Sequence, residues 1–251
     1  MSERGTCIVT GGSRGIGAAV ARDAARNGWA VCVNYVGNAR AAEAVVREIE
    51  SAGGTACAVQ ADTADPAAVT RLFDAAREKL GPVSALVNNA GITGPVSRLD
   101  QAEAETIRRV IDVNVNGALY CAREAVRRMS PRYGGGGGVI VNISSGAATL
   151  GSPNDYVWYA ASKGAVDSLT VGLAKEVAGE GIRVNGVAPG LTVTDIHAES
   201  SGDAGRVEKL APSVPLGRAG TPEEVANAVL WLMSDAASYV TGTTIRVSGG
   251  R

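Results

Sequence analysis

Thr6-Cys7-Ile8-Val9-Thr10-Gly11-Gly12-Ser13-Arg14-Gly15-Ile16-Gly17 is the stretch on which the fold of this 251-residue chain turns. A short apolar run, Thr6 to Thr10, passes straight into glycines and then into a helical pattern that ends near Asn27-Gly28. Gly11, Gly15 and Gly17 allow a tight turn, close approach of a pyrophosphate, and tight packing of helix on strand. The phosphates would then meet free N–H groups at the helix N-terminus. Strand, glycine turn and helix in that order are the context such a cradle needs, and Ser13 and Ile16 lie inside it.

Outward from this unit the pattern alternates strand and helix nearly end to end. Strands are predicted at 30–35, 55–60, 83–87, 139–143, 183–187 and 243–247. Helices are predicted at 39–51, closed by Gly53-Gly54, and at 66–80, with Asp65 as cap and Pro66 in the first helical position. A long helical stretch runs roughly from Gln101 to Met129, another helix covers Val157 to Ala178, and Thr221-Pro222-Glu223-Glu224 opens one more with acids in its first turn. Such βαβ alternation gives an α/β fold: a single-domain, doubly wound parallel sheet of about seven strands with helices on both faces.

Composition agrees. Hydrophobic residues make up 45% of the chain and aromatics only 4%, so the core must be built from Val, Ala, Leu and Ile, as suits a parallel sheet buried on both faces. Lys and Arg total 24 against 25 acidic residues, a formal charge of −1, which leaves no electrostatic footprint for nucleic acid or an anionic membrane. The expected partner is a small molecule. Met1 to Gly5 runs directly into the first strand without the apolar stretch of a secretory signal, and no apolar run approaches the ~20 residues that span a bilayer, so the expected location is the cytoplasm. Cys7, Cys32 and Cys57 fall in predicted strands at an even spacing of 25, so adjacent strands would bring the thiols near one another. With Cys121 they read as small buried hydrophobes, and no CxxC pair or neighbouring His supports a metal.

Two segments stand apart. Gly134 to Gly138 is a run of five glycines that follows a helix and precedes a strand, hence lies at the N-terminal edge of the sheet, away from the carboxyl edge where ligands bind; it reads as a flexible connection. Residues 191–213 follow a strand's carboxyl end and are long and polar, the place for a substrate lid. The single histidine, His197, falls in that lid with no nucleophile elbow elsewhere, which sets a hydrolase triad aside.

Tyr159 and Lys163 are four residues apart in a predicted helix and share one face. A free phenol, with a pKa near ~10, is a poor proton donor or acceptor at neutral pH, and a neighbouring ammonium is expected to lower it. Tyr156 lacks a lysine four residues on. Ser144 and Ser145 follow the fifth strand at its carboxyl edge, where a hydroxyl can bond a substrate oxygen, or cap the turn.

The residues Thr10 to Gly17, then Asn88-Asn89-Ala90-Gly91, then Tyr159-Ala160-Ala161-Ser162-Lys163, then Pro189-Gly190, taken in order and spacing over essentially the whole chain, resemble the motifs of the short-chain dehydrogenases/reductases. The resemblance implies a Rossmann-like fold and a homotetrameric NAD(P)-dependent oxidoreductase acting on carbonyls or alcohols. It implies cofactor contacts from the glycine turn, from Asp62 and Thr63 at the adenine, from Asn89-Ala90-Gly91 on the adenosine side, from Pro189 and Gly190, and from Thr192 and Thr194 at the nicotinamide carboxamide. It implies that Lys163 also holds the nicotinamide ribose, that the active serine is Ser145 with Ser144 one residue away, and that Asn114 holds a proton-relay water; the alternative for Asn114 is a polar group at a helix kink. Thr192 stands where a branched aliphatic is more usual.

The choice of dinucleotide has a physical argument. An NAD enzyme usually places a carboxylate at the end of the second strand, where it accepts from the ribose hydroxyls and would repel a 2′-phosphate. Here that strand ends Val33-Asn34-Tyr35-Val36 with no acid before Glu43, while Arg14 offers a cation in the glycine turn and Arg40 a second candidate. NADP(H) is expected over NAD(H). The expected reaction is hydride transfer between the nicotinamide and a carbonyl or carbinol carbon, with Tyr159 handling the oxygen-bound proton. Two other readings are weighed: a 3-oxoacyl-[acyl-carrier-protein] reductase whose Arg127, Arg128 and Arg132 dock an acidic carrier, and a cofactor-binding regulator without turnover. The same arginines also suit a helix C-terminus, and the regulator need not keep Tyr159, Lys163, Ser145 and Asn114 together.

Overall fold

In the computed structural model, which describes residues 4–251, the chain runs β1 (Thr6–Val9), α1 (Gly15–Arg26), β2 (Ala30–Tyr35), α2 (Ala39–Ser51), β3 (Thr55–Gln60), α3 (Pro66–Leu80) and β4 (Val83–Asn88). It continues through α4 (Ala104–Ile111), a π-helical turn (Asp112–Asn116), α5 (Gly117–Met129), β5 (Gly138–Ile143), α6 (Ala147–Leu150), α7 (Val157–Val177) and β6 (Ile182–Pro189). The last part holds α8 (Ile196–Ser201), α9 (Arg206–Leu210), α10 (Pro222–Met233) and β7 (Thr244–Val247). Met1–Glu3, read above as the run into the first strand, lie outside the described residues.

Local chemistry accounts for the helix starts. The Asp65 carboxylate accepts from Ala67 N at 2.8 Å ahead of Pro66, and Asn38 accepts from Ala41 N at 3.0 Å. Thr221 and Glu224 close a reciprocal capping box at α10.

The strands form one sheet in the order β3-β2-β1-β4-β5-β6-β7, every neighbouring pair parallel. Successive residues point to opposite faces, so Val9, Val31, Val87 and Val141 pack with α1 and α10 while Ile8, Cys32, Leu86 and Ile140 pack on the other face with α3 and α5. Both faces are therefore dry, as the scarcity of polar residues in the strands requires. The winding turns from one side of β1 to the other between β3 and β4, and the crevice at this reversal opens beyond the carboxyl ends of β1 and β4.

The expected long helical stretch runs unbroken from Ala104 to Met129, with a π-helical turn inside it between α4 and α5, where Gly117 N bonds to Asp112 O one residue further back than in an α-helix. The glycine run is at the N-terminal edge as expected, but it is a built turn and not a flexible link. Gly135 N, Gly137 N and Gly138 N bond to Ser130 O, Met129 O and Gly181 O at 2.9, 2.8 and 3.0 Å. A Cβ at Gly135 would lie 2.2 Å from the Met129 carbonyl, and one at Gly137 2.6 Å from Gly181 O with φ +86°. Close backbone approach, not mobility, demands glycine there.

Cys32 and Cys57 are register partners on β2 and β3, whereas Cys7 packs in the cluster on the opposite face; all four cysteines are free thiols. Burial pushes the Cys7 and Cys121 thiols up to about 12. Among the described residues no group of three or more His, Cys, Asp or Glu is placed to hold a metal ion, and no helix is long and apolar enough to cross a membrane.

Candidate active site

The glycine turn is braced before any ligand arrives. Thr10 Oγ1 accepts from Asn89 N and Ala90 N at 2.9 and 3.0 Å, and Asn89 Nδ2 donates to Thr10 O and Gly11 O at 2.9 and 3.1 Å. Buried Asn34, at the end of β2, accepts from Gly11 N through Oδ1 at 3.2 Å and donates through Nδ2 to Ala61 O at 3.0 Å. A Cβ at Gly17 would sit 2.4 Å from Gly11 O and 2.5 Å from Asn89 Nδ2. No side chain caps α1, so its first-turn N–H groups, from Gly15, Ile16 and Gly17, keep their donors for an anion. This cradle fits the pyrophosphate of a dinucleotide: the backbone is bare and the donors converge.

The remaining cofactor candidates divide by what their side chains touch. Tyr35 is half-buried at the end of β2 and Ser13 half-buried in the turn. Asp62 accepts from Arg109 Nη2 and Ala64 N at 2.8 and 2.9 Å, and Thr63 is buried, a Cβ at Gly117 falling 2.9 Å from its Oγ1. The Thr63 hydroxyl is thus packed under α5, and the Asn89 side-chain amide is spent on the glycine turn. Gly91 lies deeper than the sequence implied: a Cβ there would be 3.3 Å from both Asn114 Oδ1 and Lys163 Nζ. Thr194 covers Gly15, 3.2 Å from where a Cβ would be, and Thr192 is buried with its hydroxyl donating to Gly190 O at 3.3 Å. Pro189 ends β6, and Gly190 abuts Ser248 so closely that a Cβ would fall 2.7 Å from its Cα.

Four chemical candidates meet beyond β4 and β5. Ser145 adjoins the Tyr159 hydroxyl and favours its ionised form, and its Oγ accepts from Ala147 N at 3.1 Å as α6 begins. Ser144 is buried and donates to Lys163 O at 3.3 Å, so the two serines face different ways and only Ser145 adjoins Tyr159. Lys163, 4% exposed, donates from Nζ to Ile143 O at 2.8 Å and lies 5.7 Å from the centre of the Tyr159 ring. Asn114, in the π turn, accepts from Ile92 N and donates to Ile92 O, both at 2.9 Å, and to Ser162 Oγ at 3.0 Å. Its amide pins the segment after β4, and the residue sits in the π-helical turn of the long helix. Further along the same face, Asn88 Nδ2 donates to Asn142 Oδ1 and Asn142 Nδ2 to Thr170 Oγ1, a buried polar chain that sequence reading did not single out.

The electrostatics differ from the expectation that the lysine makes the phenol acidic. Burial, the largest influence, pushes Tyr159 up to about 12, with the Ser145 hydrogen bond opposing it, and burial pushes Lys163 down to about 8. In a dry cleft both charged forms lose hydration, and the ammonium is turned onto a carbonyl instead of the phenol oxygen.

Residues 191–213, where a lid was expected, are tied to the segments that follow β4 and α6. Val96 N bonds to Ser200 O at 2.8 Å and Arg206 Nη2 to Asp155 Oδ2 at 2.8 Å. Tyr156 stands edge-on to Tyr159 with ring centres 5.4 Å apart, and the Arg206 guanidinium lies near enough to favour its ionised form. His197 is half-buried beside Arg206 and is held below the usual histidine range, first by burial and then by that guanidinium. Sequence reading set Tyr156 aside and passed over Asp155 and Arg206, because the Asp155–Arg206 association spans 51 residues and leaves no local pattern. Arg14 is likewise not free: both its Nη atoms bond the Glu199 carboxylate of α8, Nη2 to Oε2 at 2.9 Å, and Asp195 lies at 3.8 Å. Arg127, Arg128 and Arg132 pair with Glu124, Asp74 and Glu180 at 2.9, 2.7 and 2.8 Å, which neutralises the basic cluster.

Comparison with known proteins agrees with this geometry. Residues 11–251 match the model of the family described as enoyl-(acyl carrier protein) reductase. The chain is 51% identical to the uncharacterized oxidoreductase YgfF of Escherichia coli over 97% of this chain and 98% of that protein. It is 45% identical to 3beta-hydroxysteroid dehydrogenase 1 of Eggerthella lenta over 98% and 92%. Among solved structures, a short-chain dehydrogenase of Burkholderia cenocepacia in complex with NADP superposes with a TM-score of 0.89 at 36% identity, covering 98% of this chain and 97% of that one. Matched from end to end, and carrying the tyrosine and lysine beside a glycine cradle, this chain belongs to the short-chain dehydrogenase/reductase family of oxidoreductases.

Proposed function

We propose that this enzyme interconverts a carbonyl and a secondary alcohol on a small molecule with NADP(H) as partner. The observation that carries the reading is the grouping of Tyr159, Ser145 and Lys163, with Lys163 Nζ 5.7 Å from the centre of the Tyr159 ring and 3.3 Å from where a Cβ on Gly91 would lie. A nicotinamide held beside the glycine cradle would supply the hydride for reduction and take it up in oxidation. The chain's own residues handle the oxygen. Ser145 bonds the substrate oxygen and orients it, and Tyr159 gives that oxygen its proton in reduction or removes it in oxidation. Lys163 holds a positive charge within reach of the tyrosine ring and of the site beside Gly91, where a ribose hydroxyl would lie. Asn114 fixes the backbone at Ile92 that forms the wall opposite, beside a relay water in this reading.

Arg14 is the group that would meet a 2′-phosphate, because the end of β2 offers no charge: Asn34 is buried and fully engaged, and Tyr35 and Val36 are neutral. A carrier-linked substrate finds less support, since the three arginines that would dock the carrier already hold carboxylates. The buried free thiols suit a reducing compartment, and we assign the reaction to the cytoplasm. We also infer a homotetramer, on the groove between α5 and α7 lined by Leu119, Val126, Tyr133, Leu169 and Leu173, an apolar stripe that a second copy would cover. The test is NADPH oxidation against a panel of ketones, sugars and steroids, with NADH in parallel; a protein inert across the panel with both would return the regulator reading to the front.

A further inference from the structure

Arg14 and Glu199 are 185 residues apart in sequence, yet they are joined by a two-point ion pair, with Asp195 adding a second carboxylate at 3.8 Å. One partner belongs to the glycine turn and the other to α8, in the middle of the lid, and Thr194 of the same lid segment rests on Gly15. We propose that Glu199 is a positioning residue for cofactor choice: with the lid closed it occupies the guanidinium fork that a 2′-phosphate needs, so that lid and phosphate compete for Arg14. The proposal rests on the reading of Arg14 given above.

The competition follows from donor geometry and charge. A guanidinium offers one planar fork, and a carboxylate and a phosphate both take it with two parallel N–H bonds. In the closed lid this corner carries one cation and two anions, an environment that repels a phosphate unless Glu199 withdraws. The nearest side chains at the end of β2 cannot substitute, for Asn34 is buried and committed and Tyr35 and Val36 carry no charge. The pair is itself weak enough to exchange: Arg14 is 56% and Glu199 52% exposed, a setting in which ion pairs are screened. NAD(H), lacking the phosphate, leaves the pair intact; NADP(H) breaks it. The second clasp, Arg206 on Asp155, is less exposed and holds the far end of the lid in both cases.

The experiment compares wild type, Glu199→Gln, Arg14→Gln and the double variant. Dissociation constants for NADP+ and NAD+ are taken by calorimetry, and amide exchange is followed over 196–201 without cofactor and with each cofactor at saturation. Glu199→Gln should tighten NADP+ relative to NAD+ by about two- to five-fold, the range expected of an exposed pair, and should speed exchange over 196–201 in the free protein. In wild type, NADP+ should leave these amides less protected than NAD+ does, and Glu199→Gln should erase the difference. The double variant should show no gain over Arg14→Gln. If Arg14→Gln lowers the NADP+ to NAD+ preference while Glu199→Gln moves neither affinity nor exchange, the competition is overturned and the Arg14 reading stands. If Arg14→Gln leaves the preference where it was, the Arg14 reading fails and the competition falls with it.

Discussion

Lys163 holds its ammonium nitrogen 5.7 Å from the centre of the Tyr159 ring and donates it to the carbonyl of Ile143, 2.8 Å away, so the pair shares a helix face without sharing a proton. The phenol oxygen adjoins Ser145 instead, whose hydroxyl favours the ionised form. Each of the three residues then has a separable signature.

Tyr159→Phe removes only the hydroxyl and should lower kcat/KM for reduction by about 10²–10⁴-fold, the usual worth of a positioned acid. Calorimetric cofactor affinity should stay within about two-fold, because the cradle residues are untouched. A variant as active as wild type would sink the assignment.

The two serines should separate cleanly. Ser145→Ala should reduce kcat by about 10²–10³-fold, the cost of removing one oxyanion donor. Ser144→Ala, which loses a bond to Lys163 O, should cost about 1 kcal/mol of stability with a much smaller kinetic change. Steady-state kinetics and chemical denaturation run side by side decide it.

Stability should track pH through the same pair. Lys163 is held near 8 against an ordinary 10.5, so between these values the unfolded chain binds a proton that the folded chain has released, and stability rises with pH. Tyr159 is held near 12 against 10, so the folded chain keeps its proton longer and stability falls from pH 10 upward. Melting of Lys163→Met against wild type should show the variant's relative stability highest at and below pH 8. That advantage should shrink by something on the order of 1–3 kcal/mol toward pH 10.5.

Two glycines test two kinds of turn. Gly137→Ala, at φ +86° and 2.6 Å from Gly181 O, should destabilise by about 1–3 kcal/mol without changing cofactor affinity. Gly17→Ala, 2.4 Å from Gly11 O, should disturb the cradle and weaken binding of either dinucleotide at least ten-fold. Equal effects on affinity from both would mean that the cradle is misassigned.

The far lid clasp and the groove on α5 and α7 complete the set. Asp155→Asn should speed proteolytic cleavage within 191–213 several-fold, because Arg206 loses its partner. Leu119→Glu, at a residue 43% exposed on the groove, should reduce the inferred tetramer to smaller species by light scattering, and an unchanged mass would remove this face from the proposed interface.

The strand–glycine–helix unit at 6–26, the alternation that follows and the Tyr159–Lys163 helix face were all legible in sequence, because each is set by short-range periodicity, caps and turn residues acting over a few positions. The helix 157–177 and the strands around it fall within a residue or two of expectation. The π turn at Asn114 was legible only as the alternative of a helix kink, because its partner there, the Ile92 backbone, is 22 residues away and leaves no local pattern. The glycine run at 134–138 carried composition but no sign of Gly181, the backbone it packs against.

What the amino-acid order by itself determined is the sheet, its carboxyl-edge crevice and the identity of the residues that line it. Tertiary structure alone decided what those residues hold: Ser145 toward Tyr159 and Ser144 away, Lys163 on Ile143, and Arg14 on Glu199. The reason is physical. Backbone conformation follows from neighbours along the chain, whereas a buried amine or an exposed guanidinium takes whichever acceptor packing brings within about 3 Å, and those acceptors come from 20 and 185 residues away.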